Sequence, residues 1–253
     1  MLNIVIPMAG LGSRFAQAGF TDPKPFISIK GLPMIELVIG NLRPACEHRF
    51  IFICLQEHLD RYGFENRLRL LAPGCEVIGL PGVTEGAACS VLEASRFIDN
   101  EMPLMVANSD QWVDVDINAY LATMEERHLD GLIMTFASDN PKWSYVLRDS
   151  NDYVCEVVEK KVVSAEATVG IYNFRHGRDF CHCAREMISR NERSMGEFYV
   201  APVYTHMYQL GNAKIDTWLI DQRMHGLGTP ADLSDFLSSD VLERAVGRER
   251  AEA

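Results

Sequence analysis

The chain has 253 residues, of which 47% are apolar and 23% charged, with a formal net charge of −11. These are the values of a globular chain whose size allows a real core, so disorder, collagen and coiled coil are excluded for the whole. No apolar run approaches the ~20 residues of a membrane helix, and the acidic balance disfavours nonspecific nucleic-acid binding, which needs a basic surface.

The first apolar run, Ile4-Val5-Ile6, is short and continuous, as expected of a strand buried on both faces. Gly10 and Gly12 follow at once, which argues against a secretory signal. Pro33 to Arg43 places Ile35, Val38, Ile39 and Leu42 on one helical face. Phe50 to Leu55 is a second strand, and Ala87, Ala88, Val91 and Leu92 form a second helical stripe before the strand at Pro103 to Ala107. Asp116 has the position of an N-cap before Ile117, Tyr120, Leu121 and Met124; Gly131 to Phe136 is the next strand. This alternation predicts a wound α/β sheet.

Beyond it, Trp143 to Leu147, Tyr153 to Val158 and Ala167 to Phe174 lie close together, the first two joined by a polar hairpin connection. Two helical stripes follow, Phe180 to Ile188 and Phe198 to Met207, then a strand at Lys214 to Leu219 and a short helix at Ala231 to Leu237. We read residues 1–240 as one domain and 241–253 as a C-terminal tail, helical or frayed, with the last eight residues expected to fray. The seven cysteines are odd in number and lie mostly in apolar stretches, as reduced, buried thiols of a cytoplasmic protein would. Cys181-His182-Cys183 lacks a partner pair at zinc-finger spacing.

The informative string follows the first strand: Ala9-Gly10-Leu11-Gly12-Ser13-Arg14, then Pro23-Lys24-Pro25. Glycines let backbone amides approach an anion, Arg14 and Lys24 add two cations, and the flanking prolines restrict the lysine backbone. No Walker loop exists in the chain, and the dinucleotide fingerprint fails because Phe15 stands where its third glycine belongs.

The combined string instead resembles the sugar-phosphate nucleotidyltransferases (nucleoside-diphosphate-sugar pyrophosphorylases), with their G-x-G-[ST]-R…P-K-P pattern. Further pieces are similar: Gly86-Ala87-Ala88, Ala107-Asn108-Ser109-Asp110, Val158-Glu159-Lys160, Val169-Gly170-Ile171-Tyr172 and Gly196-Glu197-Phe198. The resemblance spans about residues 2 to 235. It implies a Rossmann-like wound mixed sheet of the nucleotidyltransferase and glycosyltransferase-A type, in three α/β/α layers. It also implies that NMP passes from an NTP to a sugar phosphate or similar small phosphorylated acceptor, with Mg²⁺ as cofactor and no nucleic-acid or membrane partner. Self-association is left open.

By the same resemblance Arg14 and the backbone of Ala9, Gly10, Leu11, Gly12 and Ser13 would hold the leaving phosphates. Lys24 would neutralise the α-phosphate and Asp110 would bind Mg²⁺. Gly86, Ala87, Ala88 and Asn108 would lie beside the nucleotide, with a lean towards a pyrimidine such as that of CTP. Lys160 would position the acceptor phosphate, and Ser144, Glu159, Gly170 and Glu197 would line the acceptor pocket. Three positions depart from the family pattern. The second metal aspartate, just before a late Gly-Thr, is a glycine within His225-Gly226-Leu227-Gly228-Thr229, and neither Asp221 nor Asp232 matches by position. The proline after the Glu-Lys pair is Lys161, and the acceptor-pocket Tyr-Gly is Trp143-Ser144. An appended acyltransferase β-helix is not expected.

Two other functions compete. Asp114-x-Asp116 matches the D-x-D of nucleotide-sugar glycosyltransferases, although Asp116 also suits a helix cap. A non-catalytic nucleotide-binding domain would explain the missing aspartate. Trp112 and Trp143 are read as packing residues and His225 as a turn residue.

Overall fold

The computed structural model of the protein describes residues 1–211 and 213–252, without the side chains of 248–252. Among the described residues the main sheet has nine strands: β1 (Leu2–Pro7), β2 (His48–Leu55), β3 (Glu76–Leu80), β4 (Leu104–Ala107), β5 (Gly131–Ala137), β6 (Ser144–Arg148), β7 (Val154–Glu159), β8 (Glu166–Phe174) and β9 (Ile215–Leu219).

β1 is the centre of a parallel half, with β2 on one side (Leu2 opposite His48) and β4 on the other (Asn3 opposite Leu104); β3 extends β2. β8 runs antiparallel to β4 and β5 and joins the β6–β7 hairpin to the sheet. β9 adds in parallel to β5. The sheet is therefore mixed, as expected, and its strands coincide with the apolar runs to within two residues, β3 excepted.

Side chains of successive strand residues alternate between faces, so two cores form. Val5, Ile51, Val106 and Phe174 pack under the helices Ala87–Leu92 and Gly177–Ser189. Ile4, Phe52, Met105 and Leu132 pack under Met34–Leu42 and Ile117–Glu126. A third cluster holds Phe15, Met34, Trp112, Leu227, Phe236, Leu242 and Val246 together beneath the glycine loop. It includes the C-terminal helix Leu242–Glu252, whose Leu242, Ala245 and Val246 are buried. Of the last eight residues, expected to fray, 246–252 are helical instead; Ala253 lies outside the described residues.

Some local expectations change. The helix expected over Phe198 to Met207 begins at Val203, because the Phe198 backbone is engaged elsewhere: its amide donates to Glu85 and its carbonyl accepts from Ala88. His225 sits in a two-stranded ribbon, Met224–Gly226 against Gln111–Val113, with its ring near Trp112 and Phe236. All seven cysteines are unpaired; four are buried and Cys46 is exposed, and burial pushes the Cys181 and Cys183 thiols up to about 12. No helix of the described residues is long and apolar enough to cross a membrane.

Candidate active site

The site lies where β1 and β4 end at the same edge of the parallel half, the position at which open α/β sheets take ligands. After β1 the chain turns through Gly10 to Gly12. Gly12 has φ +61°, and a Cβ there would stand 3.2 Å from the Lys24 Cβ, so glycine lets the loop close against the lysine. The amides of Gly10, Leu11 and Gly12 donate to no acceptor among the described residues. Ala9 is buried and fixes the loop's start; Leu11, Ser13 and Arg14 are exposed.

Lys24 opens a 3-10 turn, Lys24–Phe26, between its two prolines. Phe26 anchors that turn in the core, its ring centroid 4.0 Å from that of Phe64. The Lys24 ammonium donates to Asp110 Oδ2, and Arg14 has no charged partner among the described residues. Asp110 follows β4 and is fixed on both sides. Leu227 donates its amide to the Asp110 carbonyl at 2.7 Å. Buried Asn41 exchanges two hydrogen bonds with the Val113 backbone, tying the ribbon to the helix Met34–Leu42.

Three adjoining depressions line up along this edge. One, about 210 Å³, lies between Ser13, Arg14, Lys24 and Gly228. The next, about 260 Å³, is lined by Gly10, Gly12, Lys24, Asn108 and Asp110. The third, about 290 Å³, also touches Asn108 and continues to Ala87, Lys142, Trp143, Ser144, Glu159, Lys160, Gly170 and Tyr199. The larger cavity of about 410 Å³ beside Leu2, Pro103 and Asn173 opens at the opposite strand ends.

In the third depression the Ser144 hydroxyl donates to Glu159, and the Lys160 ammonium donates to the Tyr199 hydroxyl while lying 4.6 Å from that ring's centre. Lys160 has φ +54° and its amide donates to the Trp143 carbonyl at 3.0 Å, which turns the side chain out of the strand end. Burial raises the Glu159 carboxyl above the usual carboxylate range against the opposing pull of Ser144 and Lys160, and the Glu197 charge adds to the rise. Glu197 itself is exposed at the rim. Burial alone would depress the Lys160 ammonium, but its bond to Tyr199 and the nearby Glu159 carry it above the ordinary lysine value.

Because Glu159 is raised in the folded chain, its contribution to stability is fully present below the ordinary value of 4.5 and is lost as pH rises through the folded pKa. Glu159→Gln is therefore expected to melt higher than the parent at pH 7, with the gap closing as pH falls to about 4.5. Thermal melts across that range check it; a parent more stable than the variant at pH 7 would reverse the argument.

The strand residue Gly170 has φ +99°, and a Cβ there would lie 2.2 Å from Asn108 Nδ2; the Asn108 amide donates to the Gly170 carbonyl at 3.0 Å. Glycine here keeps Asn108 between the second and third depressions. Ala87 lines the wall of the third depression, whereas Gly86 lines none of the three and packs against the Phe198 backbone. Ala88 is fully enclosed and its amide is spent on Phe198, so it shapes that wall from beneath. Sequence reasoning missed Lys142 and Tyr199, which share the depression with Lys160; Trp143, read as packing, lines it too. The D-x-D pair does not converge on the site: Asp116 caps the helix through the Asn118 amide, and Asp114 pairs with Arg244.

A family model described as "Nucleotidyl transferase" matches residues 4–208. Among solved structures, the nucleoside-diphosphate-sugar pyrophosphorylase from Vibrio cholerae is 27% identical with a TM-score of 0.78, covering 93% of this chain and 100% of that one. The inositol-1-phosphate CTP transferase from T. maritima is 15% identical with a TM-score of 0.75, covering 98% and 96%; at that identity it supports the fold alone. A bifunctional protein GlmU from Solibacter usitatus is 25% identical over 239 residues, 90% of this chain and 48% of the relative. A 2-aminoethylphosphonate cytidylyltransferase from Lancefieldella rimae is 55% identical, but over 43 residues, 17% of this chain and 18% of that one. The chain thus spans about half the length of the GlmU relative, while the match to the cytidylyltransferase is confined to under a fifth of either chain. With the glycine loop, Lys24 and Asp110 converging at one strand edge and the match running through most of its length, the chain belongs to the nucleotidyl transferase family.

Proposed function

We propose that the protein transfers NMP from an NTP to a sugar phosphate or similar small phosphorylated acceptor and releases pyrophosphate. The observation that carries this reading is the line of three depressions, with cations at both ends and the Lys24–Asp110 pair between them. A triphosphate laid along the first two would bring its α-phosphate to Lys24, and an acceptor in the third would meet it from the far side.

A phosphate monoester is largely ionised at pH 7, so the attacking oxygen needs no general base. It needs alignment and relief from repulsion. Lys160, held by Tyr199, would orient the acceptor phosphate; Glu159 would accept from an acceptor hydroxyl or amine. As the acceptor oxygen bonds to the α-phosphorus, the bond to the β-phosphate breaks, and Arg14 with the free loop amides would receive the leaving pyrophosphate. The small side chain of Ala87, on the wall of the third depression, would lie beside the base, and we lean towards a pyrimidine.

The residues fit Mg²⁺. The Asp110 carboxylate is an oxygen donor, and a Cβ at Gly228 would crowd its Oδ2 at 2.9 Å, so the bare backbone keeps space beside it. Mg²⁺ is commonly held by one or two carboxylates plus substrate phosphates, a donor set to which Asp110 can contribute. When bound, Mg²⁺ would neutralise and orient the phosphates. The unpaired thiols suit a cytoplasmic setting.

Incubation with each NTP, Mg²⁺ and a panel of phosphorylated acceptors tests the reading. Pyrophosphate release that depends on both substrates is expected, with CTP the first nucleotide to try. Nucleotide binding without turnover of any acceptor would favour the non-catalytic reading instead.

A further inference from the structure

The cavity of about 410 Å³ at the opposite strand ends shares no lining residue with the three depressions. We propose that it is a second small-molecule site, for a compact apolar ligand, neutral or cationic, that donates one N–H or O–H to the Asn173 carboxamide. The proposal does not depend on the reaction assigned to the first site.

Most of the lining is apolar. Leu2 begins β1, Pro103 leads into β4, and Leu121 and Met124 border the cavity from the helix Ile117–Glu126. The volume falls within the roughly 300–1,000 Å³ of small-molecule pockets, which pair an apolar lining with a few placed polar groups.

Asn173 is that polar group. It is only 1% exposed, yet it lines the cavity, and its Oδ1 accepts no hydrogen bond among the described residues. Its ladder neighbours are Met105 on β4 and Leu132 on β5, both fully buried and with no donor in their side chains. The other carboxamide of the lining is spent: Asn118 Oδ1 accepts from the Ala45 amide at 2.8 Å, and its Nδ2 donates to Asp116 at 3.1 Å. A buried oxygen left unpaired is costly, so an asparagine at this place calls for a donor from outside the chain. Water is a poor one. Buried waters commonly make about three hydrogen bonds, and the side chains of Leu2, Pro103, Leu121 and Met124 offer none. A ligand whose body covers those side chains and whose single donor meets Oδ1 satisfies both.

The mouth sets the charge. Both charged side chains of the lining, Glu47 and Glu125, are acidic and exposed. The Met1 amino group, 4.0 Å from Glu47, offsets one of the two. The remaining charge disfavours anions, so nucleotides and phosphorylated compounds, the substrates assigned to the first site, do not suit this one.

Indole and indene test the proposal, since they share a shape and differ by an N–H against a methylene. Methyl resonances of Leu2, Leu121 and Met124 locate binding and give both affinities. Indole is expected to shift those methyls saturably and to bind about fivefold tighter than indene. Asn173→Leu removes the acceptor at similar size and is expected to bind the two equally. Ala122→Trp, at an exposed lining position of the helix, is expected to bind neither and to melt like the parent. Equal affinities in the parent would overturn the role of Asn173, whether or not Asn173→Leu folds; so would an undiminished preference for indole in the folded variant. Absence of indole shifts at these methyls, or parent-like shifts in Ala122→Trp, would overturn the site and leave the cavity to water alone. None of these outcomes bears on nucleotidyl transfer, which the pyrophosphate assay reads separately.

Discussion

Replacing Lys24 with alanine is expected to lower kcat about 10²- to 10³-fold, the loss seen when one positioned charge is taken from a reacting centre. The lysine is held for this. Pro23 and Pro25 limit its backbone, Phe26 pins the turn to the core, and Gly12 packs against its Cβ. Negative charge grows at the α-phosphate only as the new bond forms, so the ammonium stabilises the transition state more than the bound NTP. The loss should therefore fall on kcat, with a smaller change in KM for the nucleotide. The fold should tolerate the change, because Lys24 and Asp110 both keep contact with solvent, with about a fifth and a quarter of their side-chain surfaces exposed. Water that reaches both groups can solvate the Asp110 carboxylate once the lysine is gone, which holds the loss of stability to about 1–3 kcal/mol. Steady-state kinetics with a pyrophosphate readout, beside a melt, separate the two effects. A variant whose kcat falls less than fivefold would remove Lys24 from the reaction.

That residue was legible in the chain because the pieces of its setting are contiguous. Gly10, Gly12, Arg14, Lys24 and the strand before them lie within 25 residues, and Asp110 follows a buried strand directly. The strands were legible for a similar reason: burial on both faces leaves an unbroken apolar run, as in Leu104–Ala107. β3 was missed because Glu76–Leu80 is a half-buried edge strand with a glycine in it. The helices Gln56–Tyr62 and Phe64–Leu71 were missed because they bury only Phe64 and Leu68 between them, too few for a stripe. Lys142, Tyr199 and Asp232 carry no local signal. Lys142 meets Asp232 across 90 residues, and Tyr199 reaches Lys160 only because the Phe198 backbone is tied to Glu85 and Ala88. Chain spacing cannot report such meetings; they are products of the folded sheet.

The same tie at Phe198 makes Gly86 the position where one methyl group should do the most damage to the fold. Gly86 has φ +145° and ψ 171°, a region of backbone conformation essentially closed to other residues. A Cβ there would also stand 2.4 Å from the Phe198 carbonyl oxygen and 2.5 Å from its amide nitrogen. Both contacts are backbone and cannot swing away. Gly86→Ala must therefore separate the two segments, breaking the Ala88 and Glu85 hydrogen bonds to Phe198. Backbone strain of this kind costs about 1–3 kcal/mol, and each lost hydrogen bond about 1 kcal/mol. At about 2–4 °C per kcal/mol for a chain of this length, the midpoint should fall by roughly 6–20 °C. Gly82→Ala is the control: its Cβ meets nothing within 4 Å and its φ is not positive, so its melt should match the parent's. The damage should extend to function, because Ala87 and Tyr199, the neighbours of the two tied residues, line the acceptor depression. Separating them pulls Lys160 from its Tyr199 partner, so the KM for the acceptor should rise in whatever fraction of Gly86→Ala stays folded. A variant that melts within about 2 °C of the parent would mean that the two segments are not locked together, and the rigid wall assigned to the acceptor side would have to be given up.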